Sequence, residues 1–158
     1  MKKIILFAIC IVFAVATKAQ SNTDEVALVQ SAFGMTKQQM VKDFMKLSDT
    51  ESAKFWTLYE EYEAARKEMG KKRIENITAY ADSYDKLSNE KATELMNKSF
   101  AIQGEFAKLQ QKTFKKMSKE LSPLRAAQFT MLESFIENSI RTEILDAIPL
   151  IGEFDDKK

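Results

Sequence analysis

Apolar residues along this chain recur at steps of three and four, and helical spacing is its only periodicity. From Phe55 they run Phe55, Leu58, Tyr59, Tyr62, Ala65, Met69, Ile74, Ile77, Tyr80, Tyr84 and Leu87, which predicts one long amphipathic helix. Ser48-Asp49-Thr50-Glu51 fits the capping box at its start, where the Ser and Glu side chains each satisfy an otherwise orphan N–H. A second run, Ala92, Leu95, Ser99, Ile102, Phe106, Leu109, Thr113 and Met117, alternates mostly four and three. That 3.5-residue average keeps a seam on one side of a left-handed supercoil. A third run, Phe129, Leu132, Ile136, Ile140 and Ile144, follows Ser122-Pro123, a cap residue with proline at the first helical position. Residues 24–33 and 37–47 form two shorter predicted helices around Gly34, the second capped by Thr36.

The pattern defines an all-α chain: an elongated antiparallel hairpin or bundle of long amphipathic helices, with no sheet. Tight turns make successive long helices antiparallel neighbours. Each of the two longest should span about 45–55 Å, more than a compact domain of this size requires. An elongated bundle buries less core per residue, and a homodimer would cover what remains. Leu-Ser opens a helix three times, at Leu47-Ser48, Leu87-Ser88 and Leu121-Ser122, and eight residues beyond each Leu stands Phe55, Leu95 or Phe129. A convenient helix start used three times and an internal duplication both account for this. A hairpin turning at Leu87 pairs positions summing to about 174, which sets Gly70 level with Gly104 at about 25 Å from the turn. A shared bend is the expectation there.

The N-terminus changes the picture of what folds. Met1-Lys2-Lys3 is basic, Ile4 to Ala16 is apolar throughout, and Thr17-Lys18-Ala19 places small residues at −3 and −1 of a cleavage site. This is the secretory pattern, too short for a span of about 20 apolar residues. Residues 1–19 therefore read as a signal peptide, and residues 20–158 as a single exported domain. Removing Lys2, Lys3 and Lys18 leaves 21 basic residues against 23 acidic ones, a net charge of −2. No basic bias remains to suggest nucleic acid. The chain has no His, and its only Cys, Cys10, lies in the targeting segment. The mature protein thus lacks a disulfide, a thiol nucleophile, an imidazole base and a His/Cys metal site. Neither a phosphate-binding glycine loop nor a calcium loop is present. The reading is of a non-enzyme with no catalytic residue, metal or cofactor.

Charge does cluster. Lys108, Lys112, Lys115, Lys116 and Lys119 meet no acid between Phe106 and Lys119, and Arg66, Lys67, Lys71, Lys72 and Arg73 form a second group. The hairpin register sets Arg66 beside Lys108, so the two groups should adjoin. It also puts Lys112 and Lys115 near Glu60, Glu61 and Glu63, where a run of lysines would only neutralise an acidic face. Exposed pairs of that kind contribute about 0–1 kcal/mol each. The functional alternative is a basic surface flecked with Phe100, Phe114 and Met117, able to hold acidic, partly unfolded polypeptide. Phe55, Tyr59 and Tyr62 have core spacing, whereas Trp56 is rotated by about 100° to a flank or another chain. The apolar tail Ile148 to Phe154 cannot continue a helix, and either lies across the bundle or reaches a partner.

The segment from Leu47, Ser48 and Glu51 through Phe55, Trp56 and Tyr59 to Glu63 resembles the Spy/CpxP-related periplasmic proteins with LTxxQ motifs. Leu121, Ser122 and Arg125, continuing to Phe129, resemble a second copy. Ser48 and Ser122 replace Thr, while Glu51 and Arg125 stand where Gln is expected. The resemblance implies a periplasmic, usually dimeric helical cradle with a basic and apolar face. It implies an ATP-independent chaperone for unfolded or stressed envelope proteins. The alternatives are a regulatory partner of a membrane stress sensor and an accessory structural protein of the envelope. A metal-binding branch of the family uses His and acidic residues, and the absence of His disfavours it here.

Overall fold

The computed structural model describes residues 35–152. The signal peptide expected over residues 1–19, the helix expected over residues 24–33 and the chain beyond Gly152 lie outside the described residues. Four α-helices follow in order: α1 (Lys37–Met45), α2 (Asp49–Ser83), α3 (Asn89–Glu120) and α4 (Pro123–Ala147). A 3-10 turn, Tyr84–Lys86, closes α2, and no strand occurs among the described residues. The all-α expectation therefore holds, as an antiparallel hairpin of long helices extended by a third.

Each helix begins where its sequence signal stands. Thr36 Oγ1 accepts from Gln39 N at 3.2 Å, Ser88 Oγ from Lys91 N at 3.2 Å and Ser122 Oγ from Arg125 N at 3.1 Å. At Ser48 the backbone N–H donates to Glu51 Oε2 at 3.0 Å, completing the capping box. All three Leu-Ser pairs thus start helices, and Phe55, Leu95 and Phe129, two turns on, are all buried. The end of α2 differs from the predicted run to Leu87. Ser83 Oγ donates to Ala79 O at 2.7 Å and Tyr80 O at 3.2 Å, and the helix tightens to 3-10 geometry there. Leu87 is extended at ψ 110° and leads directly into the Ser88 cap.

Cross-helix pairs fix the register. Lys72 meets Glu105 at 2.6 Å, Lys116 meets Glu61 at 2.5 Å, and Asn76 Nδ2 donates to Leu95 O at 3.1 Å. These pairs bracket the expected sum. Gln103–Arg141 and Gln110–Ser134 set α4 antiparallel to α3. Hence α2 and α4 run parallel, and they bring no Cα atoms within 8 Å of each other. They meet through large rings instead. Phe129 of α4 receives Phe55, Tyr59 and Tyr62 of α2 edge-on at 5.5, 6.1 and 5.4 Å between centroids. Such T-shaped contacts suit the ring quadrupole and add about 0.5–1.5 kcal/mol each beyond area burial. Trp56 packs edge-on against Phe55 and Tyr59, at the flank of this cluster. No second chain is needed to place it.

The core is lopsided. Its main cluster lies where α2 and α4 begin, with Val41 and Met45 of α1 as its lid. Further along, only Met69, Ile102 and Phe106 form a compact second cluster. Neither Gly70, which is buried, nor Gly104, which is exposed, interrupts its helix. Open space surrounds the position a Cβ would occupy at Gly104. Towards the turn, core gives way to a cavity, and that end carries much of the exposed apolar surface.

Candidate polypeptide-binding surface and tip cavity

Of the basic and apolar residues singled out from the sequence, two face inward. Met117 is 0% exposed. It continues the α3 seam four residues after Thr113 and packs in the main cluster, so it is a core residue and not a surface contact. Arg66 is 4% exposed, because it follows Tyr62 by four on the buried stripe of α2. It therefore does not join Lys108 in a surface cluster. Arg66 Nη2 donates to Glu63 Oε1 at 2.8 Å, and Lys37 Nζ reaches Glu63 at 2.7 Å and Glu133 at 2.8 Å. Glu133 is 2% exposed. A buried charge cluster of four side chains thus ties α1, α2 and α4 together, over the ring of Tyr62 at 5.3 Å from Lys37 Nζ.

Electrostatics within this cluster follow from its partners. Burial alone would push the Glu63 carboxyl up, but the charge of Lys37 and the hydrogen bonds of Arg66 hold it at about 2. The same desolvation, with the carboxylates of Glu63 and Glu133 nearby, raises the Tyr59 and Tyr62 hydroxyls above their ordinary range. Buried carboxylates beside cations suggest a site, yet every charge here has an opposite neighbour. The arrangement fastens helices.

Arg73 is also turned inward. Its Nη2 donates to Glu137 of α4, and its guanidinium lies 4.6 Å from the Phe106 ring centroid. Lys72 and Lys116 are exposed but paired, with Glu105 and Glu61. Four of the nine basic candidates are thus paired with carboxylates, Lys72, Arg73 and Lys116 across helices and Arg66 with Glu63 of its own helix. Lys67, Lys71, Lys108, Lys112 and Lys115 make no ion pair among the described residues. They do not converge. Lys72 and Glu61 mark the side of α2 that faces α3, and Lys67 and Lys71 are rotated from Lys72 by about 140° and 100°. Lys108 and Lys115 lie on the outer side of α3, Lys112 borders the α2–α3 groove beside Glu61 and Lys116, and Phe114 is rotated from the three by about 100–160°.

Exposed apolar residues, by contrast, do gather. Phe100 is 61% exposed and belongs to the mouth of a cavity of about 570 Å³ at the hairpin tip, between the last turns of α2, the first turns of α3 and the end of α4. Its outer wall is the tail that the sequence left unplaced. After Pro149 ends helix α4, the tail lies back on the bundle: Tyr80 Oη donates to Pro149 O at 2.7 Å and Tyr84 Oη to Leu150 O at 3.1 Å. Sequence reading missed this cavity because its wall depends on two tyrosine hydroxyls meeting backbone carbonyls 66 and 69 residues away.

The motif positions form a separate junction. Arg125 bonds to Glu51 through Nε at 2.9 Å and Nη2 at 3.1 Å, and its Nη1 donates to Met45 O at 2.9 Å. The Arg125 hydrogen bonds, followed by those of Ser48, hold the Glu51 carboxyl at about 2. Among the described residues no three metal-ligating side chains gather, and no helix is long and apolar enough to cross a membrane. Compared with protein-family models, curated proteins and solved structures, the chain has no match.

Proposed function

We propose that this chain is an exported, nucleotide-independent binder of unfolded or stressed polypeptide in the envelope, working as a homodimer in the manner of the Spy/CpxP proteins it resembles. One observation carries the reading. Exposed large apolar residues, Met96 and Phe100 on α3 with Leu145, Leu150 and Ile151 opposite, lie together at one end of a rod. Lys108 and Lys115, on the outer side of α3, lie about two and four turns along the helix from Phe100. Grouped apolar surface of this sort marks interaction sites, whereas scattered single residues do not. Lysines without carboxylate partners add long-range attraction for acidic segments.

The test is light scattering of a denatured client mixed with the mature protein, without ATP. Several-fold molar excess should suppress aggregation, and charge reversal at Lys108, Lys112 and Lys115 together should weaken the suppression. Full aggregation at that excess would remove the proposal. A second reading, a regulatory partner of one membrane sensor, draws support from the pairing of Arg66, Lys72, Arg73 and Lys116, which confines unneutralised charge to small areas. Crosslinking in envelopes separates the two: one dominant partner supports regulation, and a broad distribution supports holding.

A further inference from the structure

The tip cavity has two unlike ends. At its inner end Arg73 of α2, Gln103 of α3 and Arg141 of α4 stand at one level, and at its outer end are Tyr80, Ala92 and the tail. Helical rise separates the two ends by about 10–16 Å. Its volume, about 570 Å³, falls within the roughly 300–1,000 Å³ typical of small-molecule sites. Between the ends the lining is mostly apolar, with Leu95 and Ile102 as the buried floor and Asn76 and Ser99 as its polar residues. Among the described residues, five of the eleven exposed large hydrophobics, Met96, Phe100, Leu145, Leu150 and Ile151, surround its mouth.

Charge is equally one-sided. No acidic residue lines the cavity. Arg73 has Glu137 as its partner, but Arg141 meets only the neutral Gln103 Oε1, at 3.3 Å, and no carboxylate among the described residues. A guanidinium in that setting has donors to spare for an anion, which it recognises by paired N–H groups.

The geometry points to a binding site for a single-chain fatty-acid anion, with its carboxylate on Arg141 and its hydrocarbon chain lying along α3 towards Ala92 beneath the tail. A cation at one end and apolar walls along the rest match the polarity of that ligand class. A cationic or zwitterionic head would gain nothing at Arg141, and a wholly apolar ligand would leave the arginine end idle. The assignment rests on Arg141 and the cavity lining, not on polypeptide holding, although the two readings share the mouth residues Met96, Phe100, Leu145, Leu150 and Ile151.

Isothermal titration of the mature protein with dodecanoate, below micelle formation, tests this. One molecule should bind per chain. Shortening to decanoate should weaken binding by up to about fifteenfold, as two buried methylenes are lost. Arg141 is exposed, so Arg141→Glu leaves the helices intact (checked by circular dichroism) and should weaken dodecanoate about fivefold or more. Dodecyltrimethylammonium should bind more weakly than dodecanoate to the wild type and more tightly to Arg141→Glu. Absence of saturable dodecanoate binding, equal affinity for the two head groups, or unchanged binding by Arg141→Glu would each overturn the assignment. Sedimentation of the same samples reads the competing occupant: a dimer that excludes dodecanoate overturns it as well.

Discussion

Arg125 closes on Glu51 across 74 residues of sequence, Nε to Oε1 at 2.9 Å and Nη2 to Oε2 at 3.1 Å. These are the two positions at which the LTxxQ pattern the sequence resembles would have Gln, and the two replacements compensate each other. Glu51 also accepts from the Ser48 backbone and hydroxyl, while Arg125 reaches Met45 O and Gln128 Oε1. One contact therefore joins the starts of α2 and α4 to the end of α1. About a quarter of each side chain is exposed, so solvent screens the pair. Glu51→Gln and Arg125→Gln should each destabilise the fold measurably. The double variant, with glutamine at both positions, should cost less than the sum of the two. Urea denaturation of the four proteins measures this, and strict additivity would show the contact to be energetically idle.

Helix starts were legible because caps act locally. Ser48, Ser88 and Ser122 need only their own next three residues, and all three stand where the sequence puts them. The seam of α3 was equally legible, since Leu95, Ile102, Phe106, Thr113 and Met117 follow one spacing rule and are all buried. The candidate surface was less so. Arg66 continues the buried stripe of α2, but a charged residue on an apolar stripe reads as exposed unless Glu63, Lys37 and Glu133 are known to surround it. Glu133 and Lys37 lie on other helices, and no local rule brings them there. Met117 is the contrary case, because its spacing already assigned it to the core. The tip cavity could not be read at all, since its wall is long-range.

The buried charge cluster should make stability depend on acid. Glu63 ionises at about 2 in the folded chain, against an ordinary value of 4.5. A carboxyl with a depressed folded pKa contributes its full stabilisation above its unfolded value and loses it as pH falls through the folded one. Stability should therefore decline between pH 4.5 and 2, with Glu51 contributing in the same window. Glu63→Gln should flatten that decline, which urea titrations at several pH values would show. Lys37→Met leaves Glu133 buried without its cation and should cost about 3–5 kcal/mol at neutral pH. Adding Glu133→Leu should recover part of that loss, because an apolar pair replaces a broken ionic one.

Gly104 offers a gain. It sits within α3, exposed, with nothing within 4 Å of where a Cβ would stand. Neither a turn nor a close helix approach requires glycine at this position. Gly104→Ala should stabilise the fold by about 0.5–1 kcal/mol through helix propensity alone. Thermal unfolding would detect the rise, and a loss of stability would mean that α3 needs freedom at this level.

Phe100 and Met117 lie about 100° apart around the same helix, one exposed and one buried, and they separate surface function from core packing. Phe100 is mostly exposed, so Phe100→Ser should change stability by no more than about 0.5 kcal/mol. Met117 is fully buried against the main cluster, and Met117→Ala should cost about 2–5 kcal/mol through lost transfer energy and the cavity left behind. Aggregation suppression should show the reverse ranking under conditions where both variants remain folded. Phe100→Ser should lose activity because the apolar mouth loses its most exposed ring. Met117→Ala, once its fold is confirmed by circular dichroism, should act like the wild type. If Phe100→Ser suppressed aggregation as well as the wild type, the tip would not be where unfolded chains are held.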